Sequence, residues 1–106
     1  MAAGVAHIPW YATTFRGDEF AAALEEVAPI ARRYGATSWS VQRSTDDAYQ
    51  FRHMISFDSK ADWELFWNGS EMQTFRAHNS GTYQAPIMYT WFAVVTEELG
   101  AATPSA

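Results

Sequence analysis

The chain of 106 residues has no cysteine, which excludes a disulfide scaffold, a thiolate metal site and a cysteine nucleophile together. Lysine occurs once, at Lys60, so arginine carries almost all of the positive charge. Seven basic residues stand against twelve acidic ones, for a formal net charge of −5. Clustered positive charge is what a nucleic-acid binder needs to displace counterions from phosphates, so nucleic acid is not an expected partner. No apolar run approaches the roughly 20 residues that span a bilayer, and no membrane partner is expected. Met1 to Gly4 lack the charged-then-apolar pattern of a secretory signal, so the expected location is cytoplasmic.

Aromatic side chains are what the chain has in quantity: five Trp, five Tyr and seven Phe. With 48% hydrophobic and 18% charged residues, most of the chain is ordered, and the length suits one domain. Residues 1–4 and 97–106 read as loose ends, leaving a single domain over 5–96.

Val5 to Thr13 reads as a strand in which Pro9, unable to donate to a ladder, favours an edge position or a bulge. A helical pattern follows from Asp18, with Phe20, Leu24, Val27, Ala31 and Tyr34 on one face and Gly35 as its stop. Pro29 inside it predicts a kink or a restarted turn. Thr37 to Arg43 and Tyr49 to Phe57 alternate and form a hairpin across Ser44-Thr45-Asp46-Asp47. In the second of these strands Tyr49, Phe51, His53, Ile55 and Phe57 point one way, and Gln50, Arg52, Met54 and Ser56 the other.

Ser59 is an N-cap candidate for a helix presenting Trp63, Phe66 and Trp67 on one face, with Asn68-Gly69 as its stop. Ser70-Glu71-Met72-Gln73 has the form of a capping box opening a short helix through Met72, Phe75, and His78 or Asn79. Asn79 to Pro86 is loop, and Ile87 to Val95 a strand apolar on both faces. The order β-α-β-β-α-β is the split βαβ arrangement of a ferredoxin-like α+β sandwich, a four-stranded antiparallel sheet with helices on one side. Helices cover one face of the last strand only. The other predicts a homodimer that packs sheet against sheet.

This order of elements, the length, and the stretch Ser59-Lys60-Ala61-Asp62-Trp63-Glu64-Leu65-Phe66-Trp67 through Phe75-Arg76-Ala77-His78 resemble the dimeric α+β barrel superfamily. The nearest likeness is to its antibiotic-biosynthesis and haem-degrading monooxygenase branch. In the haem-degrading members a Trp and a His sit over the cofactor, the His as axial iron ligand, helped by an Asn on the first strand. Trp67 and His78 match the first two at slightly wider spacing, but Val5 to Thr13 contains no Asn. The resemblance therefore implies a cofactor-free protein, with haem as the alternative.

His78 is the candidate general base or metal contact, against the plainer reading that it caps its helix, where a cation suits the dipole. His53, on an apolar strand face, reads as a satisfied core group, and His7 similarly. Strands one and three are neighbours in this fold, so the two imidazoles have a route to converge. Arg52 and Met54 are expected between the two sheets of the dimer, where Arg52 either pairs across the interface or meets an anionic substrate. Trp10, Trp39, Trp63, Trp67 and Trp91 either frame a flat aromatic pocket or are ordinary core. Trp67 is the one kept for chemistry, with Trp10 and Phe66 as lining residues.

The resemblance then implies a small cofactor-independent monooxygenase-like or isomerase-like protein acting on an aromatic or polyketide-type molecule. His78 or Tyr83 would deprotonate a phenol, Trp67 and Arg52 would stabilise the anion, and dioxygen would react without a metal. A non-catalytic dimeric ligand-binding or stress-responsive module, and a haem-binding or haem-degrading protein, are the alternatives.

Overall fold

The computed structural model describes residues 4–98. The ends expected to be loose lie outside those residues, except Gly4, which opens the first strand, and Glu97 and Glu98, which are exposed. Strand β1 is Gly4–Ile8, helix α1 is Gly17–Val27, and a 3₁₀ helix continues over Ala28–Tyr34. Strands β2 (Ser38–Arg43) and β3 (Phe51–Phe57) form the expected hairpin. Helices α2 (Lys60–Trp67) and α3 (Ser70–His78) precede strand β4 (Thr90–Ala93). No helix among the described residues is long and apolar enough to cross a membrane.

The sheet is antiparallel in the order β2-β3-β1-β4, which is the split βαβ arrangement. Directly opposed residues share a face, so register fixes two compositions. Ala6, Ile8, Trp39, Val41, Phe51, His53, Ile55, Phe57 and Trp91 face the helices. Val5, His7, Ser40, Met54, Thr90 and Phe92 lie on the other face, with Met54 between Ser40 and His7 and Phe92 opposite Val5. Phe20 and Leu24 of α1, Ala31 of the 3₁₀ helix, Trp63 and Phe66 of α2, and Met72 and Phe75 of α3 complete the core.

Local chemistry explains most boundaries. Pro29 lies at the start of the 3₁₀ helix, where its missing N–H breaks no bond, so the helix tightens and restarts there. Gly35 ends it at φ 93°, a left-handed conformation that glycine adopts without penalty. The Ser59 hydroxyl accepts from the Asp62 amide at 3.1 Å, as an N-cap should. Gly4 permits the sheet to close on Trp91, since an added Cβ there would meet that ring at 2.5 Å.

Three expectations are corrected. Strand β1 stops at Ile8, short of the Thr13 expected: Pro9 follows it and the Trp10 amide turns back onto the Ile8 carbonyl at 3.1 Å, with no bulge, since the register is the same before (Ile8 opposite His53) and after (Tyr11 opposite Gln50). Backbone groups of Trp10 and Ala12 bond to the β3 side, while Tyr11 and Thr13 bond to residues 82–84. Pro9 shares the parity of the second pair, so its missing N–H falls on the β4 side, where the ladder ends at His7 opposite Thr90. The Ser70 capping box does not form, because Ser70 is already inside the helix, and Gly69 is the N-cap without a side-chain bond. Strand β4 is shorter than Ile87 to Val95, and Val95 stands exposed. Over 87–92 the alternation holds, with Ile87, Tyr89 and Trp91 half-buried and Met88, Thr90 and Phe92 exposed; it breaks beyond, where Ala93 is exposed and Val94 half-buried.

Candidate functional site

Alternation on β1 and β3 delivers Trp10 and His53 to the helix side of the sheet, both fully buried. Trp10 donates its indole N–H to His53 Nδ1 at 3.2 Å. The indole nitrogen can only donate, so Nδ1 of His53 accepts and the ring proton of the neutral imidazole resides on Nε2. Burial pushes the His53 pKa down to about 4, so the ring is neutral near pH 7. Its Nε2 is buried without a partner.

Around Trp10 the helices and the 79–89 segment assemble a network of rings. Tyr83 meets Trp10 edge-on at 5.0 Å between centroids, and Phe20, Phe75 and Trp67 approach it at 5.4, 5.8 and 5.9 Å. Trp63 stacks on Trp67 at 5.3 Å, the expected consequence of i, i+4 spacing on α2. Tyr89 closes against both indoles at 4.9 and 5.9 Å. Both Tyr residues come from the chain before β4, and its 82–84 stretch is held beside the continuation of β1 by the Gln84 amide on the Tyr11 carbonyl and the Thr13 amide on the Thr82 carbonyl.

Arg76 of α3 places its guanidinium 4.1 Å from the centre of the Trp67 ring, a cation–π stack. It is half-buried, its Nη1 is buried without a partner, and no carboxylate pairs with it among the described residues. Desolvation lowers its pKa, though a guanidinium stays charged at any ordinary pH. The Tyr83 hydroxyl donates to the Arg76 carbonyl at 3.3 Å, and burial raises its pKa against the opposing pull of Arg76. Trp63 Nε1 is likewise buried and unpartnered.

The residues singled out in the sequence divide between three places. Trp10, Trp67 and Tyr83 belong to this ring network, and Phe66 lies fully buried beside Trp63 at 5.9 Å. His78 is exposed and lines a groove of about 670 Å³ between α1 and α3, with Glu19, Glu26, Phe75 and Asn79. Arg52 and Met54 lie on the face of the sheet that no helix covers. There the Arg52 guanidinium donates twice to Gln42 Oε1 and, with His7, lines a concavity of about 460 Å³. His7 and His53 do not converge, because Ile8, not His7, opposes His53, and the sheet separates them. Trp39 takes the guanidinium of Arg32 at 5.1 Å, and Trp91 packs beside Gly4, so neither joins the Trp67 network.

Arg76, not His78, thus lies over Trp67. The sequence carried a signal for it: Met72, Phe75 and Arg76 occupy i, i+3 and i+4 of one stripe, so a charge stands in an apolar row. The residues do not fit a haem. An axial imidazole beside Trp67 is required, but His78 opens into the α1–α3 groove, and His53 is buried with Nδ1 engaged by Trp10.

No protein-family model matches the chain, and no curated protein matches it. Solved structures do. A protein of unknown function from Nitrosomonas europaea superposes with a TM-score of 0.81 at 17% identity, over 96% of this chain and 98% of its own. Two proteins provisionally described as antibiotic biosynthesis monooxygenases match as well. The one from Nitrosomonas europaea has a TM-score of 0.78 at 15% identity, over 88% of this chain and 99% of its own. The one from Bordetella bronchiseptica has 0.78 at 13%, over 91% and 100%. At such identities the likeness establishes the fold: a ferredoxin-like α+β domain of the kind those monooxygenase-type structures have.

Proposed function

We propose that this chain binds an aromatic or polyketide-type small molecule at the Trp67 edge of the space between sheet and helices. There it acts as a cofactor-independent monooxygenase. The observation that carries the reading is the set of half-buried groups at that edge. Trp67, Arg76, Tyr83 and Tyr89 are not sealed in the core, yet they stand on fully buried Trp10 and Trp63. Rings there offer a flat apolar bed, and Arg76 a cation for developing negative charge. For a phenol-like ring the balance is simple. The ring loses two hydrogens and gains one oxygen as a carbonyl, and the second oxygen atom of dioxygen leaves as water. Electrons come from the substrate itself.

His78 and Arg52 take no part in this reading, since both face elsewhere. Trp67→Ala and Arg76→Met, assayed for oxygen uptake with a panel of naphthols and anthrones, are expected to lose turnover of any substrate that wild type accepts. Unchanged uptake in both variants would refute the assignment. A non-catalytic ligand-binding module is the second reading. It is favoured by one observation: Tyr83 holds its proton and His53 has one nitrogen engaged, so neither is a ready base. Ligand binding without oxygen uptake selects it.

A second copy of the chain covers the uncovered face of the sheet in this reading. Val5, Met54 and Phe92 stand there without a helix over them, and exposed Met88 precedes that strand. Sedimentation at micromolar concentration is expected to give a dimer for wild type and a folded monomer for Met54→Asp; a folded wild-type monomer would contradict it.

A further inference from the structure

Three side-chain nitrogens of the ring network are buried without a partner: His53 Nε2, Trp63 Nε1 and Arg76 Nη1. Such atoms are rare in folded proteins, because each forfeits its bonds to water. All three are donors. The Trp63 indole and the Arg76 guanidinium have no acceptor capacity, and the bond from Trp10 fixes the His53 proton on Nε2. Trp63 and Arg76 are also neighbours through one ring, with His53 one ring further, behind Trp10. Trp67 touches Trp63 at 5.3 Å, Arg76 at 4.1 Å, and Trp10, the partner of His53, at 5.9 Å. One of the three is a cation with no carboxylate among the described residues. A half-buried guanidinium with an orphaned nitrogen and no carboxylate partner lacks an acceptor with negative charge.

The same groups leave proton removal unprovided for. His53 Nδ1 accepts from Trp10, and the Tyr83 hydroxyl donates its proton to the Arg76 carbonyl. Burial works in the same direction on both, keeping the Tyr83 hydroxyl protonated and the His53 ring poorly basic. His78, the other imidazole near α3, lines the α1–α3 groove.

Resting on the function proposed above, we propose that the Trp67 site selects ring compounds that are already anions in solution. Acidic enols, hydroxyquinones and ring carboxylates qualify, with Arg76 as the charge partner. Simple phenols and neutral quinones bind there more weakly, because nothing in the site takes a phenol's proton and a neutral oxygen offers Arg76 no opposite charge.

Calorimetric titration at pH 7.5 with two probes of one shape tests this. 2-Hydroxy-1,4-naphthoquinone is ionised at that pH; 2-methoxy-1,4-naphthoquinone is not. Wild type is expected to prefer the hydroxy compound about tenfold or more, the worth of one charge-assisted hydrogen bond. Arg76→Met is expected to bring the ratio close to one, and Arg76→Lys, which keeps the charge but loses the fork, to an intermediate value. Arg32→Met removes the other arginine stacked on an indole, over Trp39, and should leave the ratio unchanged. Equal affinities in wild type, or a ratio indifferent to Arg76→Met, would overturn the anion selection while leaving the ligand site standing. Saturable binding of neither probe would remove the site itself, and this inference with it.

Discussion

The two faces of the sheet are made by the same strands yet share almost nothing. On β3, Phe51, His53, Ile55 and Phe57 enter a layer of interlocked rings, while Arg52 and Met54, one residue away, meet no helix. The covered face buries Trp10 and Trp63 completely and orphans three donors among them. The uncovered face carries a guanidinium already tied to a neutral amide, a histidine beside Phe92 at 6.4 Å, and side chains without a cover. A period of two thus sorts chemistry as well as polarity: His7 and His53, on neighbouring strands, end on opposite faces of the sheet.

Three measurements can break or sharpen that contrast. Trp63→Ala removes a fully buried indole from the covered face, and urea denaturation is expected to show a loss of about 3–5 kcal/mol. A loss under about 1 kcal/mol would mean that this layer is not the core. Acid is the next largest lever. With a His53 pKa of about 4 when folded against 6.5 for the free side chain, the unfolded chain binds a proton between those values that the folded chain does not. Stability therefore holds above about pH 6.5 and falls as pH drops toward 4, by about 3 kcal/mol in all. His53→Gln, which cannot titrate, should lack that descent when denaturation midpoints are compared at pH 7.5 and 4.5. The smallest effect belongs to the uncovered face: Arg52→Ala should stay within about 0.5 kcal/mol of wild type, as exposed substitutions do. A larger change would tie that face to the folding of the single chain.

Where a single residue type decides local geometry, the sequence reads directly. Pro29 restarts a helix, Gly35 ends it, Ser59 caps the next one, and the β3 alternation holds throughout the strand. Pro9 was harder, because its cost depends on which neighbour its missing N–H would face, and that is a property of strand order. The site was half legible. Trp67 and Tyr83, both candidates from the sequence, touch Trp10 and so lie in one ring network. Arg76, which lies over Trp67, stands two residues before the sequence candidate His78, and two residues on a helix point about 200° apart. Which of them turns toward Trp67 is set by how α3 leaves the break at Asn68-Gly69, an angle that no spacing within either helix encodes.

Pro9 has a wider consequence. Beyond it, the chain continuing from β1 offers Tyr11 and Thr13 backbone groups on the side that β4 no longer reaches, and residues 82–84 occupy them. The strip of chain that brings Tyr83 to the ring network is therefore also the guard on an otherwise naked strand edge. Swinging it outward to admit a ligand would bare a template for pairing with other molecules. Self-association in a sample with the 82–84 strip cut by protease would expose the guard at work.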